Sequence, residues 1–191
     1  MKFKNAKIKI LDLDLRGCLY LNNFSHSQRV ALFFKIISRA GDGPFWYLML
    51  AIVWGMQGIT YSLQIIYLLL GGSVGTAIYK FLKHKTTRPR PYQVHQVIVL
   101  GERPLDHFSF PSGHTLHAVM VTIVLGYIQP VLLAAMLPFM VLVALSRMVL
   151  GLHYPSDVIV GALIGAAVAS LIIFVAPLLG IARGGPTCLN N

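Results

Sequence analysis

The chain has 191 residues, 56% hydrophobic and only 12% charged, with a mean hydropathy of +0.70. A soluble domain carries about a quarter charged residues, so the composition argues against a soluble globule and for one domain built into a membrane. Sixteen Lys and Arg against six Asp and Glu leave a formal charge of +10, which suits cations flanking spans or meeting an anion; nucleic acid is a poor partner, because no basic helix or aromatic platform stands outside the apolar runs.

In chain order, residues 1–42 form an N-terminal region that is amphipathic rather than spanning. Lys2, Lys4, Lys7 and Lys9 open it, and Leu11, Leu13, Leu15 and Leu19 then alternate with Asp12, Asp14 and Arg16. Val30, Phe33, Phe34, Ile36 and Ile37 follow beside Arg29, Lys35 and Arg39. This spacing predicts helices lying in the interface, apolar side down; the plainer alternative is a cytosolic arm. The first twenty residues lack the continuous apolar core of a cleavable signal peptide. Gly41-Asp42-Gly43-Pro44 reads as a turn.

A catalytic or binding domain is expected over 43–180, and a short tail over 181–191. Its apolar runs cover about 45–59, 61–82, 113–129, 130–152 and 157–179. Each approaches the roughly 17–25 residues that cross a bilayer, and short turns between neighbours imply antiparallel hairpins. The fold class is therefore all-α: an integral membrane helical bundle of five spans, or six if the N-terminal region also crosses. Pro138 is a candidate kink. Gly161, Gly165, Ala166 and Ala169 either let helices approach closely or are tolerated membrane composition. Lys83 to Pro111 is the one long polar connection and reads as a surface loop. Cys18 and Cys188 match no metal spacing.

Three polar clusters interrupt the apolar sequence. They spell K-x6-R-P from Lys83 to Pro91, P-S-G-H from Pro111 to His114, and S-R-x5-H-x3-D from Ser146 to Asp157. The first ends the second run, the second begins the third, and the last joins the fourth to the fifth, so all three face one side of the membrane. Phosphoryl chemistry needs cations around the non-bridging oxygens, a placed nucleophile and an acid for the leaving oxygen. Lys83, Arg90 and Arg147 supply the charge, and arginine's planar fork gives paired bonds to phosphate. Arg147 stands in an apolar run, where an unpaired cation is costly unless it snorkels to the headgroups. Ser112 and Gly113 begin a helix whose free N–H groups form an anion site, and Pro155 marks another helix start. His153 has Asp157 four positions on, a partner for one ring nitrogen that leaves the other nucleophilic. His114 then protonates the departing oxygen and activates water. His114 and His117 form an H-x-x-H pair, but no carboxylate or third ligand stands beside them, so no metal is expected.

Taken together, the clusters resemble the signature of the type 2 phosphatidic acid phosphatase family, which also includes vanadium haloperoxidases. The resemblance covers about Gly41 to Leu179. It implies a helical bundle that needs no cofactor or metal, with Lys83, Arg90, Ser112, Gly113 and Arg147 as phosphate binders. It further implies His114 as general acid, His153 as the nucleophile that forms a phosphohistidine, and Asp157 as its orienting partner. Many membrane members have six spans, against five read here. The implied function is hydrolysis of a lipid phosphate or pyrophosphate: undecaprenyl diphosphate, phosphatidic acid or phosphatidylglycerophosphate. The alternatives are a non-catalytic lipid-phosphate binding or transport protein and, remotely, a vanadate-dependent oxidase. The expected location is a bacterial inner membrane, with the positive-inside tendency placing the site on the cytoplasmic side. The partners are the bilayer and its lipid substrate; nothing in the sequence sets an oligomeric state.

Overall fold

The computed structural model describes residues 2–58 and 62–179, whose regular elements are all helices, with no strand among the described residues. The tail over 181–191 with Cys188 and Arg183, and the turn expected around Ile59-Thr60, lie outside the described residues. The order is α1 (Lys2–Asn22), α2 (Gln28–Ala40), α3 (Pro44–Gln57), α4 (Ser62–Thr86), the single turn α5 (Pro91–Val94), α6 (Gly113–Ile128), α7 (Leu133–Val149) and α8 (Pro155–Val175).

Each predicted apolar run is a helix, bounded by local chemistry. Pro44 and Pro155 occupy first-turn positions of α3 and α8, where the missing N–H is harmless. Ser112 caps α6 through the Thr115 N–H, and Gly58, at φ +76°, ends α3. Pro138 is accommodated inside α7, which runs unbroken to Val149. Ile65–Val94, Pro130–Val149 and Pro155–Leu179 are long and apolar enough to cross a membrane, whereas Gly113–Ile128 is apolar but shorter. At 14 residues, α3 is about 21 Å long, against a hydrocarbon core of about 30 Å.

The packing centre is α8 on α6. A Cβ on Gly161 would lie 2.5 Å from the Ser112 carbonyl oxygen, and one on Gly165 would lie 2.3 Å from that of Leu116. The two ambiguous glycines are thus the contact that lets the helix backbones touch. Around them Leu68, Ala118, Met120, Val121, Val124, Leu125, Val143, Val168 and Ile172 form the buried core. Leu63, Ile66, Leu70, Leu137, Val141, Ile159, Leu163 and Phe174 point outward, as lipid-facing side chains do.

The N-terminal helix α1 packs on this bundle through its polar side. The outer face of α1 carries exposed Ile8, Ile10, Leu11, Leu13, Leu19 and Tyr20, while Asp14, Cys18 and Asn22 are buried. The four-residue spacing places these three on one stripe. The apolar side faces away from the bundle, and the protein-facing stripe is polar because it satisfies loop backbone groups. Asn22 Nδ2 donates to the carbonyls of Val99 and Val149, and its Oδ1 accepts from the Val99 N–H.

Candidate active site

The three polar clusters meet at one end of the bundle, on the wall of a cavity of about 420 Å³. Lys83, Arg90, Gly113, His114, Arg147 and His153 all line it. Lys83 stands in the last turn of α4, and the following loop turns back over the cavity, the Ser109 N–H donating to the Arg88 carbonyl. After α7 the chain turns tightly at Gly151, φ +71°, where a Cβ would lie 2.8 Å from the Val99 oxygen. Only glycine suits that backbone. The Leu152 and His153 N–H groups then both donate to the Arg147 carbonyl at 3.0 Å, so the turn fixes the histidine relative to the arginine.

Arg90 and Lys83 share the carboxylate of Asp106: Oδ1 accepts from Arg90 Nη2 at 2.6 Å and Oδ2 from Lys83 Nζ at 2.5 Å. Burial pushes the Asp106 carboxyl up, but Lys83 and Arg90 outweigh it and hold the group below the usual carboxylate range. Arg147 is buried; its Nη1 donates to Ser38 Oγ, and its Nε has no partner. A free guanidinium N–H beside two cations that share one anion is the electrostatic frame of a phosphate site.

His153 is 1% exposed. Arg90 Nη1 stands 3.3 Å from its Nε2, and since a guanidinium only donates, the lone pair belongs on Nε2 and the proton on Nδ1. Burial first, then Arg90, Arg147 and Lys83, push the ring well below the ordinary imidazole value. The ring is therefore neutral, and its Nε2 electron pair accepts from Arg90 at the cavity wall. His114, at the start of α6, is held at Nε2 by Asp42 in the turn between α2 and α3. Burial raises the Asp42 carboxyl, while the His114 hydrogen bond and the charges of His114, Arg147 and Arg39 bring it below its ordinary value.

Two predicted residues stand behind the wall. Ser112 is fully buried and its hydroxyl pairs with that of Thr115 at 3.0 Å. Asp157 Oδ2 is 3.7 Å from His153 Nδ1, beyond hydrogen-bond reach. The carboxylate is already engaged: Oδ2 accepts the Tyr154 N–H at 2.9 Å, and Oδ1 accepts from Arg88 Nη1 at 2.7 Å. Sequence reasoning passed over Asp42, Asp106, Arg88, Asp14 and Ser38. Arg88 had a visible signal, since it lies within the first cluster and is followed by a proline.

Below the cations the cavity continues between α3, α4 and α6. Thr76 and His117 form a polar step there, with Oγ1 and Nε2 3.1 Å apart. Leu50, Leu68, Leu69, Met120 and Val121 line it there together with Trp46, Tyr47, Gly72 and Ser73.

Fold and site define a class: an integral membrane helical bundle closed at one end by a cationic, histidine-bearing cavity. Residues 62–179 match the PAP2 superfamily, and the chain belongs to that family. The transmembrane PAP2 type phosphatidylglycerolphosphate phosphatase from Bacillus subtilis has the same fold, with a TM-score of 0.75 over 93% of this chain and 90% of that one at 21% identity. LpxE of Aquifex aeolicus gives 0.73 over 85% and 95% at 26% identity. The decaprenylphosphoryl-5-phosphoribose phosphatase of Mycobacterium tuberculosis is 36% identical over 103 residues, 53% of this chain and 55% of that protein. The chain thus spans about half the length of this relative. The undecaprenyl-diphosphatase BcrC of Bacillus subtilis is 28% identical over 127 residues, 66% of this chain and 65% of that one.

Proposed function

We propose that the chain is a membrane lipid-phosphate phosphatase working through a phosphohistidine on His153. The observation that carries this reading is the meeting of Lys83, Arg90, Arg147, His114 and His153 on one cavity that turns apolar below them. The scissile phosphate takes its place among the cations, its non-bridging oxygens on Lys83, Arg90, Arg147 Nε and the Gly113 N–H. His153 Nε2 attacks phosphorus while the bond to the lipid oxygen breaks and His114 delivers a proton to that oxygen. Water, losing a proton to His114, then attacks phosphorus; the P–N bond breaks and inorganic phosphate leaves. Asp157, with its charge, stabilises the ring while it carries phosphate and its Nδ1 proton.

The tail lies along Leu50, Leu68, Leu69, Met120 and Val121. His117 is three residues deeper than His114 on α6, about 4.5 Å along the axis. The Thr76–His117 step therefore falls between scissile phosphate and tail, where a second phosphate or a sugar of the headgroup would sit. This favours a lipid diphosphate or a lipid-linked sugar phosphate, the chemistry named for two of the relatives, over phosphatidic acid. The cations of α1 and α2 and those around the cavity favour the cytoplasmic side for the site.

The test is phosphate release from undecaprenyl diphosphate, a polyprenyl-phosphate sugar phosphate, phosphatidylglycerophosphate and phosphatidic acid in detergent with chelator present. Turnover of one of the first two, abolished in His153→Ala, is expected. Activity surviving in His153→Ala would rule out the nucleophile. Tight lipid-phosphate binding without turnover would instead establish a non-catalytic binding protein.

A further inference from the structure

We propose that Asp14, on α1, is a positioning residue for this reaction: it holds Arg88 and the Ser156 turn so that Asp157 stands behind His153 with its charge intact. The inference rests on the phosphatase reading above. Asp14 is 4% exposed, 142 residues from the turn it grips. Its Oδ1 accepts the Ser156 N–H at 2.8 Å, and its Oδ2 accepts the Ser156 hydroxyl at 2.5 Å and Arg88 Nη2 at 2.8 Å. The same guanidinium donates through Nη1 to Asp157 Oδ1 and to Ser156 Oγ, and lies 4.1 Å over the Tyr154 ring.

One helical turn further along α1, Cys18 Sγ lies 4.0 Å from the His153 carbonyl oxygen. A turn beyond that, Asn22 holds the Val149 carbonyl. The segment from Val149 to Asp157, which carries the nucleophile, is therefore gripped at both ends by a helix outside every motif of the sequence.

The charge arrangement explains why the grip bears on the chemistry. Two carboxylates share one guanidinium, leaving a net negative charge on the trio. Without Asp14, Arg88 would be neutralised by Asp157 alone, and the charge facing His153 Nδ1, 3.7 Å away, would be cancelled. Forming the P–N bond makes the imidazole cationic, so this charge acts on the phosphorylated ring and far less on substrate binding. The loss should fall on kcat rather than KM.

The experiment compares Asp14→Asn and Asp14→Ala in the full chain, in detergent, by steady-state kinetics and single-turnover phosphorylation of the enzyme. Asn keeps the volume but offers an acceptor on one side only, so it cannot satisfy both the Ser156 N–H and Arg88. Asp14→Ala should lower kcat by about 10–100-fold, the usual cost of losing an outer partner of a site residue, and Asp14→Asn by about tenfold, with KM held within about twofold. In an Asp157→Asn background, Asp14→Asn should cost less than about twofold more, because both act through one carboxylate. If Asp14→Ala does not fold, Asp14→Asn carries the test. An unchanged kcat in folded Asp14→Asn, a loss confined to KM, or full additivity with Asp157→Asn would overturn the proposal. Absence of wild-type turnover on every lipid phosphate would sink the phosphatase reading itself; active wild type with indifferent Asp14 variants would sink this inference alone.

Discussion

Replacing Gly161 by alanine should damage catalysis without removing a polar group of the site. The added Cβ would sit 2.5 Å from the Ser112 carbonyl oxygen, against 3.4 Å where ordinary contact begins, so the two backbones must part by about 0.9 Å in a close-packed interior. Gly161 lies inside α8 and the Ser112 carbonyl accepts the Leu116 N–H at 3.1 Å, so neither can swing aside. Overpacking of this kind costs about 1–3 kcal/mol. The functional loss is of comparable size, because Ser112 opens the turn that carries Gly113 and His114, and its N–H donates to the Asp157 carbonyl at 3.0 Å. Displacing reacting groups by about 1 Å costs about 100-fold, so kcat/KM should fall about 10–100-fold. Gly55→Ala is the control: nothing stands within 4 Å of its Cβ, and its activity should match wild type. The assay is phosphate release by detergent-purified variants matched for folded protein by size exclusion. Folded Gly161→Ala with wild-type activity would refute the claim that the α6–α8 contact sets the placement of His114.

Further predictions follow from the charges around the cavity. Asp106→Ala removes the anion that Lys83 and Arg90 share, so vanadate should inhibit the variant at about tenfold lower concentration, a gain of about 1.4 kcal/mol; a raised inhibition constant would mean that Asp106 instead holds the cations in place. Because the His153 value is depressed, the ring stays neutral in acid, and the acid limb of kcat/KM should lie below the ordinary imidazole range of about 6.5. The same depression means that stability owed to the neutral buried ring is present above about pH 6.5 and is lost by up to about 1.4 kcal/mol per unit as pH falls below it, which chemical unfolding at pH 7 and pH 5 would register. Gln96 is exposed on the loop beside the site, so Gln96→Cys, in a background without native cysteines, should resist an impermeant thiol reagent applied to intact cells; labelling from outside would place the site on the outer face.

The parts of the fold and site legible in the sequence are those carried by local pattern. The five apolar runs became helices within a few residues of their expected ends, and Lys83, His114 and Arg147, which the counting of runs puts on one side, line one cavity. The partners of these residues were not legible. Asp42 read as part of a turn, Asp106 as loop, and Asp14 as the wet side of an amphipathic helix, because a lone carboxylate in a polar stretch carries no sign of a guanidinium or imidazole folded against it from far along the chain. The partners of the α1 stripe were hidden for the same reason. Period 3.6 says which residues share a face, but not whether the polar face meets water or, as at Asp14 and Asn22, the protein's own loops. Ser112 and Gly161 show the limit at the backbone, since a small residue at a helix crossing is distinguished from filler only by the atom opposite it.

The central claim is that His153 takes the phosphoryl group from the lipid. Wild-type protein mixed with a 32P-labelled lipid substrate and quenched in alkali within a single turnover should carry label that survives base, is released by acid and maps to His153. Label on another residue, or full turnover with no phosphorylated protein at any quench time, would contradict it.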